Sequence, residues 1–280
     1  MSRSGSSESV IGPGGGFHAG FPDDPLHTAV WRLRSRGCWH DAAELLSPLA
    51  TTDPAAARLR SSVLTEQCMF TTSGWEAAED ALRAAEAIAH TDDERGAAAC
   101  ERGHLAYAAT LFGNRDRADE ARAALGRSAA LLGPDSRSRP LLDFRRGLLA
   151  QHLSRNATSA QAAFQRAHAA ALARGDTLLC SFTWRHLAAM AEENGDRAEA
   201  RHGFAESLRI REELGYLIGI APALVALASV EPEPEAARLR AEAARLVRLL
   251  GGVPTWLARR LQAVQDAAAP PAPDASAPAT

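Results

Sequence analysis

The chain is 280 residues long, 46% apolar, 5% aromatic and 23% charged, with a formal net charge of −3 and a pI near 6.3. Abundant alanine and scarce aromatics suit helices that pack closely through small side chains and argue against a β-sandwich. It has no lysine, the 31 Lys/Arg positions all being Arg. This excludes a Schiff base or phosphate-loop lysine, and the charge balance offers no basic face for nucleic acid.

Residues 1–24 are rich in Ser, Gly and Pro and include VIGPGGGFHAG. Such a stretch buries too little to offset its ordering entropy, so a disordered tail is expected. Its glycine run follows no strand and opens no helix, unlike a phosphate loop. No apolar core of a signal peptide is evident, and the longest apolar run, Tyr216–Val230, is short and broken by Pro222. No membrane span and a cytoplasmic location are therefore expected.

Helical periodicity begins at Pro25, with Asp24 placed to cap and proline at the first helical position. From there an alanine recurs four residues before a large apolar residue, at Ala42/Leu46, Ala78/Leu82, Ala121/Leu125, Ala160/Phe164 and Ala200/Phe204. The alanines are 36, 43, 39 and 40 residues apart. Each pair puts a small and a large side chain on one helix stripe, so a neighbouring helix can approach beside the small one. Gly37, Gly74, Gly113, Asn156 and Gly195 mark the turn before each of these helices, and Gly175 and Gly215 mark unit ends. The third unit is the loosest, with extra residues in Asn114–Asp119.

The fifth unit is the clearest. Phe182–Gly215 reads FTWRHLAAMAEENGDRAEARHGFAESLRIREELG, two amphipathic helices about an Asn194-Gly195-Asp196 turn. Trp184, Leu187, Ala188, Ala191, Ala200 and Phe204 fall at the spacing W-x2-L-G-x2-Y…A-x3-F, with alanine for Gly and Tyr. The stretch resembles a tetratricopeptide repeat, and the rest of the chain looks like more degraded copies. A shorter sixth unit follows, Tyr216–Val230 and Glu235–Leu250 about a Glu231-Pro232-Glu233-Pro234 break. Pro254–Gln265 then forms a helix with Trp256, Leu257, Leu261 and Val264 as an apolar stripe, suited to cap the last stack. The expected fold is an all-α, right-handed α-solenoid of about six TPR-like helix-turn-helix pairs with a C-terminal capping helix. It spans residues 25–268, and 269–280 is a second disordered tail, rich in Ala and Pro.

The 40-residue step, GDRAEAR…FAESLRIREELG and EAARLRAEAARLVRLLGG also resemble the C-terminal helical-repeat regions of large bacterial LuxR-type and antibiotic-pathway transcriptional regulators. Over about residues 140–250 the resemblance is good, and over 25–140 it holds in outline. It implies repeat architecture and a protein-contacting role. The ATPase and DNA-binding modules of those regulators have no counterpart here, since neither GxxxxGK[ST] nor a terminal basic helical module occurs.

No residue set supports a catalytic, metal or cofactor assignment. The nine histidines include no pair at i, i+3 or i, i+4, and His186 with Glu193 supplies only two ligands. Ser181 and Cys180 lack a base on their own helix face, and the Asn156-Ala157-Thr158 sequon reads as incidental. The four cysteines, with no CxxC, read as reduced small hydrophobes, and the five tryptophans as core.

The functional surface then follows from repeat geometry, in which first helices line a concave groove. In the fifth unit Phe182, Arg185, Ala189 and Glu192 face it; one step earlier Leu142, Arg145, Leu149 and His152 are equivalent, and in the third unit Tyr107 and Thr110. The expected partner-binding set is Tyr107, Thr110, Arg145, Leu149, His152, Phe182, Arg185 and Glu192. Arg145 and Arg185 would fork onto carboxylates of a partner peptide, unless acidic neighbours such as Glu192 take them. The expected function is a non-catalytic protein–protein interaction scaffold in bacterial regulation or complex assembly. The alternative is a small-ligand-sensing domain using Tyr107, His152 and Arg185. The first helix pair carries Trp31, Leu33 and Trp39 with no repeat before it, an apolar end that invites a homodimer unless Phe17–Phe21 covers it.

Overall fold

The computed structural model describes residues 24–268, and the expectations for 1–23 and 269–280 fall outside it. Thirteen α-helices carry the described residues, with no β-strand among them. They are α1 (Pro25–Arg34), α2 (Trp39–Leu46), α3 (Pro54–Thr71), α4 (Trp75–Ala87), α5 (Asp92–Leu111), α6 (Ala118–Leu131) and α7 (Arg139–His152). There follow α8 (Ala157–Arg174), α9 (Thr177–Glu193), α10 (Arg197–Glu213), α11 (Leu217–Ala228), α12 (Glu235–Leu249) and α13 (Thr255–Ala268). A short 3₁₀ turn, Leu49–Thr51, joins α2 to α3. No described helix is long and apolar enough to cross a membrane.

Helix boundaries follow local chemistry. The side chains of Asp24, Asn156, Asp176 and Asp196 accept hydrogen bonds from the otherwise unpaired amides of Leu26, Ser159, Leu179 and Glu199, at 2.9, 2.9, 3.0 and 3.0 Å. Thr91 and Glu94 close a reciprocal capping box on α5. The left-handed backbone before α10 falls on Gly195 (φ 82°), and forty residues earlier the same role falls on Arg155 (φ 49°).

Neighbouring helices pack as successive hairpins, α1 on α2, α3 on α4, and so on to α11 on α12, with α13 against α12. The recurring small/large pairs are the seams of these hairpins. Ala42, Leu46, Ala78, Leu82, Ala121, Leu125, Ala160, Phe164, Ala200 and Phe204 are all buried. Close approach also requires glycine. A Cβ on Gly147 of α7 would lie 2.5 Å from Phe164 Cε1 of α8, and one on Gly103 of α5 would lie 2.6 Å from Leu125 of α6.

The two ends of this succession meet. Ile218 N–H donates to the Ser35 carbonyl at 3.1 Å, and the Tyr216 ring stacks on Trp31 at 5.7 Å. The Tyr216 hydroxyl donates to Glu66 of α3, which also accepts from Arg34 Nε and, at 3.3 Å, from Trp39 Nε1. Helix α13 touches α3. One apolar cluster therefore joins Val30, Trp31, Leu64, Leu82 and Leu105 to Leu178, Tyr216 and Ile218.

Trp31 and Trp39 are buried, Trp31 against the Tyr216 ring, and Leu33 packs on the same cluster, so these apolar residues of the first hairpin are taken up within the chain. Within the capping helix Leu257 is buried, but Trp256 points outward as one of the more exposed large apolar residues. The four cysteines are free, and all but Cys38 are buried. Burial pushes the thiol of Cys68 up to about 12 and that of Cys180 to about 11.

Candidate functional site: the closed inner face

Helices α3, α5 and α7 pack side by side, and aromatic rings of α9 meet those of α7, so these helices share an inner face. Much of that face is buried. Two ion pairs cross it. Arg145 of α7 is 3% exposed and donates to Glu101 Oε2 of α5 at 2.7 Å and to Cys100 Sγ at 3.2 Å. Burial is the largest influence and works against its charge, but Glu101 and Cys100 together outweigh it and keep it firmly protonated. Arg34 and Glu66 form the second pair, beneath Tyr216.

This corrects the sequence-based groove at several positions. Arg145, expected to fork onto a partner's carboxylate, instead pairs with Glu101, because the α5–α7 approach is close enough to satisfy it within the chain. Thr110 is occupied too. Its hydroxyl donates to the Ala106 carbonyl at 3.0 Å and accepts from Arg117 N–H at 2.8 Å, tying the end of α5 to the start of α6. Leu149 packs with the Cys100, Leu125 and Leu142 cluster. Glu192 is exposed and makes no ion pair with Arg185.

Four residues of the set do come together. The Tyr107 ring, buried on α5, lies 6.2 Å from His152 at the end of α7, and His152 lies 5.9 Å from His186 of α9. Phe182 stacks on Phe144 at 6.0 Å and meets Tyr216 edge-on at 6.0 Å. Arg185, half-buried on α9, is close enough to act on both Tyr107 and His152. It opposes the upward push that burial gives the Tyr107 hydroxyl, and it adds to burial in lowering His152. His186 is held well below the usual histidine value by burial first, then by Arg185, His152 and Arg211. Its Nδ1 is 2.9 Å from Gln151 Oε1.

Arg211 of α10 completes the site and was missed from sequence. It is 4% exposed, donates from Nη1 to the Gly219 carbonyl at 2.8 Å, and lies 5.5 Å above the Phe182 ring. Its Nε is buried without a partner. Burial lowers its pKa to about 10, and Arg185 adds to that fall. A signal did exist, since Ala200, Phe204, Ser207 and Arg211 share one helical stripe and the first three are core positions.

Elsewhere charges neutralise one another. A surface recess of about 1050 Å³ is lined by Trp75, Glu79, Arg83, Arg117 and Glu120 among others. There Arg117 pairs with Glu79 and Glu120, and Arg102 nearby pairs with Glu79 and Glu86. No group of three or more His, Cys, Asp or Glu suited to a metal ion occurs among the described residues.

No family model matches the chain, and no curated protein matches it. Among solved structures, the crystal structure of BtubC (BKLC) from P. vanneervenii is similar at 18% identity, covering 92% of this chain and 98% of that one, with a TM-score of 0.49.

Proposed function

We propose that the chain is a non-catalytic helical-repeat module, a closed α-solenoid of about six TPR-like hairpins with a capping helix, whose inner face holds a small ligand for a regulatory system. One observation supports this reading: the Glu66–Tyr216 contact ties the start of α11 to α3, while Tyr107, His152 and Arg185 gather on neighbouring helices. An extended peptide along that face would have to part this contact, whereas a small molecule at Arg185, which keeps solvent access, would not. The wording of residues 140–250, similar to the repeat regions of bacterial regulators, supplies the regulatory setting. A protein partner is the second reading, favoured by the exposed rim residues His152 and Glu192.

A thermal-shift screen of metabolites tests the first reading. The expected result is a concentration-dependent rise in Tm for a chemically related group of compounds, since a ligand that binds only the folded state stabilises it by mass action. A flat screen, together with retention of one lysate protein that Arg185→Glu abolishes, would replace it with the second.

A further inference from the structure

Among the described residues, Arg34 and Arg145 of the inner face form ion pairs, and Arg185 and Arg211 form none. Arg34 has Glu66 and Arg145 has Glu101. Arg211 has a backbone carbonyl and an aromatic ring but no carboxylate, and its Nε is buried without a partner. Arg185 makes no hydrogen bond or ion pair with any described residue, and the groups that act on it electrostatically are Tyr107 and Glu192. Around them stand His152 and His186, which carry no negative charge. A guanidinium withdrawn from water without a counter-ion is destabilising, as at Arg211, and Arg185, one helical turn beyond the Phe182 ring that Arg211 covers, adds a second positive charge nearby. Alanine-rich helices could have placed an apolar residue at either position. The excess positive charge faces the part of the inner surface that water still reaches, at Arg185.

We propose that Arg185 and Arg211 anchor a small organic acid, their guanidiniums gripping its carboxylate or phosphate while its body lies against Phe182, Tyr107 and His152. The planar, five-donor guanidinium suits either group, since both present two oxygens to a fork. The aromatic rings beside the anchor suit a flat or apolar body. This rests on the small-ligand reading above and names its chemical class.

The test uses the full chain at constant ionic strength, with three probes in thermal shift and calorimetric titration: benzoate, phenyl phosphate and the neutral benzamide. Benzoate, phenyl phosphate or both raise Tm and bind at least about tenfold more tightly than benzamide, and the stronger of the two identifies the carboxylate or phosphate. Arg185→Met removes this preference. It also raises the Tm of the free protein, because it deletes a charge that forms no ion pair among the described residues, a gain that a merely structural arginine would not give. Arg211→Lys, which keeps the charge but loses the fork, weakens the anions while leaving benzamide unchanged.

Equal responses to all three probes, or an anion preference that survives Arg185→Met, would overturn the assignment. If neutral compounds in the wider metabolite screen still shift the wild type, the ligand-binding reading stands and only the acidic class is wrong. If no compound shifts it and Arg185→Met lowers Tm, both are wrong.

Discussion

At the scale of single residues, burial of ionisable groups makes stability depend on pH. Burial holds His186 and His104 well below the ordinary 6.5, with Arg185, His152 and Arg211 adding for His186, and Arg145 and Arg34 adding for His104. The unfolded chain takes up these protons near 6.5 while the folded chain does not, so below that value the unfolded state binds more protons. The contribution is fully present above 6.5 and is lost as pH falls, by up to about 1.4 kcal/mol per pH unit for each histidine. We therefore expect Tm to fall between about pH 7.5 and about pH 5.5, and His186→Gln to flatten that fall. A profile that stays level, or that is unchanged in the variant, would show that His186 is protonated without cost in the fold. The sequence hinted at which residues these were. Arg211 sits on the apolar stripe of α10, and Glu66 falls among Val63, Leu59 and Phe70 at helical spacing on α3, yet spacing alone gave neither a partner.

At the scale of elements, the hairpin seams were legible because helix packing is local. An alanine four residues before a large side chain makes the same small-beside-large contact in every unit, whatever the rest of the molecule does. The glycines opposite those large side chains carry equal weight. Gly147→Ala would set a Cβ against the Phe164 ring, and we expect a loss of about 1–3 kcal/mol, read as a lower urea midpoint with an unchanged slope. Gly126 in α6 is exposed with nothing near its missing Cβ, so Gly126→Ala should instead gain up to about 1 kcal/mol from helix propensity. If both variants moved in the same direction, propensity rather than packing would govern these positions.

At the scale of the whole molecule, the contact between α3 and α11 decides what the inner face is. Glu66 accepts from Arg34, Trp39 and Tyr216, residues drawn from the first hairpin and from the start of the last. Glu66→Ala takes the carboxylate from all three at once, and we expect a loss of about 3–5 kcal/mol with a larger radius of gyration in solution scattering as the ends part. Tyr216→Phe removes one hydrogen bond and keeps the ring on Trp31, so about 1–2 kcal/mol and an unchanged radius are expected. An unchanged radius for Glu66→Ala would mean that the apolar contacts of Ile218 and Leu178 hold the ends without it.

The sequence by itself determined the helices, the Asp24 cap, the turns between hairpin arms and the residues at each seam. All of these depend on groups within about forty residues of one another, which periodicity can register. It also led to the expectation that Tyr107, His152, Phe182 and Arg185 share one face. Only the tertiary structure decided which groups of the inner face are taken up within the chain. Glu66 and Tyr216 are 150 residues apart, a separation that local periodicity cannot register. For the same reason only the fold could separate Arg145, neutralised by Glu101 on the neighbouring helix, from Arg185, its counterpart one unit later, which Glu192 influences but which forms no ion pair among the described residues.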